Sequence, residues 1–110
     1  MQTFQDLALE PTLAASLSAG GFTTLTPIQS QAIPLALNGN DILGLAQTGT
    51  GKTAAFGLPM LQQINANSKK TQALVIAPTR ELCVQISKEL VKYAASISGL
   101  KIVPVYGGAS

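Results

Sequence analysis

The spacing of apolar residues changes several times along this chain, and each change marks an element. Residues 1–10 carry no period, with Phe4 and Leu7 as apolar anchors. Pro11 suits a first helical position, and Leu13, Ala14 and Leu17 then share one helical face. Gly20 is expected to end that helix. A second helix starts at Thr26 as N-cap, with Pro27 at N1 and Gln29 at N3, the spacing of a capping box. Pro34 is expected to interrupt it. After the turn at 38–40, residues 41–45 read as a strand that is apolar on both faces, as buried parallel strands are. A further helix is expected over 51–64, weakened or kinked by Gly57 and Pro59.

The second half repeats the alternation. Residues 65–71 form a polar connection. Leu74, Val75 and Ile76 are continuous within an expected strand at 72–77, which Pro78 stops. Thr79 can cap a long helix, and Glu81 sits favourably in its first turn. Leu82, Ile86, Leu90, Tyr93, Ala94 and Ile97 trace its apolar stripe up to Gly99. A third strand is expected at 101–106. The order α-α-β-α-β-α-β implies an α/β fold with a parallel sheet and right-handed crossovers. Ligands of such sheets bind beyond the carboxyl ends of the strands, so the segments that follow the three strands should share one rim.

One of those segments carries explicit chemistry. Ala46-Gln47-Thr48-Gly49-Thr50-Gly51-Lys52-Thr53 lies between the first strand and its helix. Strand, glycine-rich turn and helix is the context of a phosphate-binding loop. Gly49 and Gly51 allow the backbone to approach a polyanion closely. The helix that follows offers free N–H groups and the positive end of its dipole. Lys52 can reach phosphate oxygens, and the Thr53 hydroxyl suits one position on a Mg²⁺ ion. Ala46 stands where the general pattern has glycine.

Composition narrows the reading. Of 110 residues, 46% are hydrophobic and only 11% charged, which argues for a buried core and against a disordered tail. A net charge of +2 is too weak to identify a nucleic-acid binder, and it does not exclude one that uses backbone amides. Cys83 is the one cysteine and there is no histidine, so disulfides, a zinc site and imidazole base catalysis are excluded. Cys83 reads as a small, inert core residue. No signal peptide or membrane span is visible, and a cytoplasmic location is expected.

Taken together, the motifs resemble the DEAD-box family of ATP-dependent RNA helicases. Residues 46–53, AQTGTGKT, match that family's motif I, including its alanine. Pro78-Thr79-Arg80-Glu81-Leu82 matches motif Ia, and Gly107-Gly108 matches the GG motif. Residues 21–29, GFTTLTPIQ, resemble the Q motif, and Phe4 stands upstream where the family has an isolated aromatic. Leu25 departs from the proline the family often has. The resemblance implies a RecA-like domain that takes ATP and Mg²⁺, and binds RNA through its backbone with little sequence specificity. It assigns the nucleotide to Phe4, Phe22, Gln29, Ala46, Gln47, Thr48, Gly49, Thr50, Gly51, Lys52 and Thr53, with Mg²⁺ held at Thr53 through the nucleotide. It assigns RNA to Pro78, Thr79, Arg80, Gly107 and Gly108.

Two of these residues have local explanations as well. Gln29 either completes the capping box or pairs with the adenine edge, and both roles coexist only if it turns toward the ligand. Phe4 is either a core anchor or a stacking surface for adenine. A non-catalytic binding module and a different P-loop nucleotide hydrolase are the competing readings. The Asp-Glu-Ala-Asp and Ser-Ala-Thr motifs do not occur between residues 1 and 110. The expected organisation is therefore a Q-motif region at 1–40, followed at 41–110 by the first part of a RecA-like domain. The second RecA-like domain lies outside it. Such a fragment is expected to be inactive alone and to self-associate through an uncovered sheet edge.

Overall fold

A computed structural model describes residues 3–45 and 51–107. The residues at 46–50 and Gly108 that were assigned to nucleotide and RNA lie outside the described residues. Four α-helices are described: α1 (Pro11–Ala19), α2 (Pro27–Leu37), α3 (Lys52–Gln63) and α4 (Arg80–Tyr93), preceded by a short 3-10 turn (Phe4–Asp6).

Helix α1 begins with Pro11 at its first position, as the sequence implies. It ends at Ala19 with Gly20 as its C-cap, where the sequence places its end. Gly20 remains right-handed, and Gly21 takes the left-handed turn at φ 81°. Phe22 N donates to Leu17 O and Gly21 N to Ser18 O, the paired bonds of a Schellman motif. A Cβ at Gly20 would press on the Phe22 ring, so this glycine makes room for Phe22 to fold back.

Pro34, expected to interrupt its helix, and Pro59, expected to weaken or kink its own, both stand inside continuous helices, α2 and α3. Packing outweighs the missing N–H: Ile33 and Leu58 beside them are fully buried, and Pro59 itself is buried. Gly57 also lies within α3. It faces Leu90, whose Cδ2 would lie 2.7 Å from a Cβ at that position, so the missing side chain lets α3 and α4 approach. Helix α4 ends earlier than its apolar stripe. Continuing it would need Ser96 N in the ladder, but Ser96 N donates sideways to Ser16 Oγ at 2.7 Å. Ser16 Oγ in turn donates to Thr12 O, which ties α1 to the end of α4.

The core gathers around α3. Phe4, Leu13, Leu17, Leu25, Ile33, Leu58, Leu61, Leu90 and Tyr93 pack into one cluster. Gln62 adds a polar tie: its Oε1 accepts from Glu10 N and its Nε2 donates to Ala8 O.

The expected strand order has no ladder among the described residues. Segments 41–45, 72–77 and 101–106 follow α2, α3 and α4 in the expected order, yet none pairs with another. Leu43, Leu74, Ile76 and Val105 are 90%, 81%, 85% and 81% exposed. A groove of about 980 Å³ separates 72–77 from 100–105, over Leu61 of α3, Ile64 at its C-cap, and Ile86 and Leu90 of α4. A strand that is apolar on both faces needs a neighbour on each edge and a layer on each face. The two helices cover one side only. The first half of α4 is accordingly half-buried at Leu82, Cys83 and Ile86, where a sheet would have covered it. The one strand-like pairing described is elsewhere, an isolated antiparallel bridge between Thr3 and Thr24.

Tyr93 gives this core a pH signature. Its ring packs edge-on to Phe22 with centroids 5.1 Å apart. Burial pushes its phenol above the ordinary value of 10.0, and the nearby Glu89 carboxylate adds to the rise. The folded state thus holds this proton longer than the unfolded state. The associated stability is fully present below pH 10 and is lost as pH rises through the raised value. Chemical denaturation followed from pH 8 to 11 should show this decline. Tyr93→Phe keeps the ring contact and should flatten it, whereas an unchanged alkaline slope would contradict the assignment.

Candidate functional site

Gly51 joins the glycine-rich stretch to α3. It is the N-cap of that helix and adopts φ 85°, ψ 25°, the left-handed region that strongly favours glycine. Space adds a second requirement, since a Cβ here would run into Gln29 Nε2 and Thr26 Oγ1. Among the described residues, the first turn of α3 receives no side-chain cap. Lys52, at N1, is exposed, and Thr53, at N2, is half-buried. The early amides of α3 and these two side chains are therefore gathered at the helix's positive end.

Gln29 is the link between this end and the rest of the fold. It is 5% exposed, and both ends of its carboxamide are engaged. Oε1 accepts from Thr26 N at 3.0 Å, and Nε2 donates to Gly51 O at 3.1 Å. The reciprocal contact, Gln29 N to Thr26 Oγ1, is long at 3.5 Å. The capping box predicted from Thr26-x-x-Gln29 is present, and the same side chain reaches across to the phosphate motif. The sequence gives Thr26 a capping role only. Its hydroxyl also borders Gly51, and the spacing of the capping box is the signal that could have located it there.

Phe4 and Phe22 lie apart from that contact. Phe4 is 5% exposed, belongs to the core and meets Phe22 edge-on at 6.4 Å. Its N–H donates to Thr23 O, which docks the N-terminal segment on the turn before α2. Both rings line a cavity of about 190 Å³ together with Leu17 and Thr23. Gln29 and Gly51 do not line it.

The residues assigned to RNA come together in part. Pro78, Thr79, Arg80 and Gly107 are all exposed. Thr79 caps α4, its Oγ1 accepting from Leu82 N at 3.1 Å. Arg80 Nη2 donates to Gly107 O at 2.6 Å, with the guanidinium 5.5 Å from the Tyr106 ring centroid. The turns after the second and third expected strands are thus joined by one arginine. Tyr106 is a member of this group that the motifs do not mark. Cys83, in the same region, places Sγ 3.9 Å from Val105 O and is half-buried rather than sealed in a core.

Comparison with known proteins bears on both groups. A family model described as DEAD/DEAH box helicase matches residues 26–110. The DEAD-box ATP-dependent RNA helicase CshA of Geobacillus kaustophilus is 48% identical over 108 residues, covering 98% of this chain and 23% of the relative. CshA of Bacillus subtilis is 52% identical over 106 residues, covering 96% of this chain and 21% of the relative. The chain therefore spans less than a quarter of the length of these curated relatives. Among solved structures, a DEAD box protein from Methanococcus jannaschii superposes with a TM-score of 0.88 at 34% identity, covering 100% of this chain and 30% of that one. The RNA helicase Prp28 from Chaetomium thermophilum, bound to ADP, gives 0.88 at 42% identity, covering 100% of this chain and 28% of that one. These neighbours support the RecA-like fold class. A family model that covers most of the chain, with relatives similar along nearly all of it, settles the membership: the chain belongs to the DEAD/DEAH box helicase family.

Proposed function

We propose that this chain supplies part of the ATP- and RNA-binding surface of a cytoplasmic RNA helicase that couples ATP hydrolysis to local duplex opening. The observation that carries this reading is the junction of Gln29 with Gly51, which puts the Q motif against the start of α3. In this reading residues 1–40 form the Q-motif region and 41–110 the first part of a RecA-like domain.

The residues fit a nucleotide on physical grounds. The left-handed Gly51, uncapped α3 amides and exposed Lys52 suit a polyphosphate, along with residues 46–50 of the same motif. Gln29 offers the adenine edge one donor and one acceptor. Thr53 would hold Mg²⁺ together with the phosphates, and the ion's role when bound is to neutralise charge on their oxygens. Phe4 stacks on adenine in this reading only by giving up part of its place against Phe22, so we assign base selection to Gln29 first. Pro78, Thr79, Arg80, Gly107 and Gly108 would take the RNA backbone, an arrangement blind to base identity.

Hydrolysis needs carboxylates that orient Mg²⁺ and water. The acidic residues between 1 and 110 are Asp6, Glu10, Asp41, Glu81 and Glu89, and they form no Asp-Glu-Ala-Asp segment. Residues 1–110 expressed alone should therefore show no ATPase activity above background, with or without RNA. They should also self-associate through the exposed apolar segments. Turnover that disappears on Lys52→Ala, or a monomer with a sharp thermal transition at micromolar concentration, would contradict this.

Base selection has a separate test in the full-length protein. Gln29→Ala should cost about 1 kcal/mol of stability through the lost cap. It should weaken ATP binding further than that and erase the preference for ATP over GTP. Equal losses for ATP and GTP that track stability would leave Gln29 with its capping role alone.

A further inference from the structure

We infer that Lys69, Lys70 and Lys101 form a second contact for the RNA backbone, at the opposite end of the strand-like segments from Arg80. This rests on reading the protein as one that binds RNA, and it adds a place that no motif marks. The first turn of α4 sits over the end of 101–106, where Arg80 Nη2 reaches Gly107 O and Cys83 Sγ lies 3.9 Å from Val105 O. The three lysines stand at the other ends, just before 72–77 and at the start of 101–106. An extended run of that length spans about 20 Å, so the two places are separate.

Two distant stretches of sequence are built into this one patch. Gly99 takes φ 85°, and a Cβ on it would lie 3.3 Å from Ala66 O. The turn that leads to Lys101 is thus pressed against the loop that carries Lys69 and Lys70. Gln72 holds that loop in shape, since its Oε1 accepts from Asn65 N and its Nε2 donates to Asn65 O, both at 2.8 Å. Within the loop Asn67 N donates to Asn65 Oδ1, and Lys70 N donates to Ser68 Oγ. The lysines therefore leave a fixed backbone, and all three are exposed. They line one groove, and no carboxylate lines it among the described residues. The sequence from 42 to 80 contains no Asp or Glu at all. The weak net charge of +2 thus conceals a local concentration of positive charge.

The residue types favour a nucleic-acid backbone over a protein partner. Protein interfaces are poor in lysine and rest on arginine and aromatic anchors. Neither arginine nor an aromatic side chain lines this groove among the described residues. Lysines beside Asn67, Ser68 and Thr71 offer what phosphate and sugar contacts use. With no ring to stack on a base, the contact is indifferent to sequence. An RNA strand long enough to pass both ends of the segments is held at two places, and a short one at the Arg80 end only.

RNA length separates the two places. Full-length protein would be titrated by fluorescence anisotropy with single strands of about 8 and about 30 nucleotides over a range of salt. Lys69→Ala, Lys70→Ala and Lys101→Ala combined should weaken the long strand about tenfold at low salt. The slope of log affinity against log salt should fall by about 2, from three lost phosphate contacts at ~0.7 each. The short strand should bind as before, and arginine at the same three positions should restore the long one. Lys88→Ala removes an exposed charge from the middle of α4 and should leave both strands unchanged. An unchanged affinity and slope for the long strand overturns the proposal. So do equal losses for both strands, or a loss per charge that Lys88→Ala reproduces. Loss of polyglutamate binding with RNA binding intact assigns the patch to an acidic protein segment and overturns it as well. Short-strand binding that survives Arg80→Ala sinks the RNA reading of the Arg80 group instead, and the long-strand result still upholds this patch.

Discussion

The carbonyl oxygen of Gly51 is the point on which the site depends. It closes the first turn of α3 through Ala55 and receives the carboxamide of Gln29 from α2. A glycine is needed there twice over, for its left-handed dihedrals and for the space that Gln29 and Thr26 occupy. The capping box that starts α2 and the motif that starts α3 thereby become one polar cluster. Such a cluster is worth more when fully satisfied than its separate bonds suggest, and it costs more when one member is lost.

The core supports this point from behind. Helix α3 is held by Ile33 of α2, by Leu90 and Tyr93 of α4, and by the carboxamide of Gln62 on the strap before α1. Gly57 brings α4 close, and the bond between Ser96 and Ser16 fixes where α4 ends. The second polar group, Arg80 with Gly107 and Tyr106, stands on the exposed side, beyond segments that have no sheet partner among the described residues. The proposed nucleotide end is thus set in packed helices, and the proposed nucleic-acid end lies on the less covered part of the chain.

Local signals made much of this legible in the sequence. Thr26-Pro27-x-Gln29 gave the start of α2, and Thr79 with Glu81 gave the start of α4. The motif at 46–53 located the start of α3. Failures came where a distant contact decided the outcome. Pro34 stands inside α2 beside the fully buried Ile33, and α4 stops where Ser16 captures an amide of its next turn. Phe4, which the sequence left open between core anchor and stacking surface, lies in the core beside Phe22. The apolar runs at 41–45, 72–77 and 101–106 carry the pattern of buried strands, but pairing depends on neighbours, and none is present among the described residues. The bond from Gln29 to Gly51 had no local signature at all. The capping box explained Gln29 without needing a second partner.

The most direct test of the central claim is a pair of crystal structures of the full-length protein, with and without ATP. The quantity to measure is the distance from Gln29 Nε2 to Gly51 O. If one carboxamide serves both the loop and the base, that distance stays within hydrogen-bonding range in both states. A carboxamide that leaves Gly51 whenever ATP is bound would contradict the account.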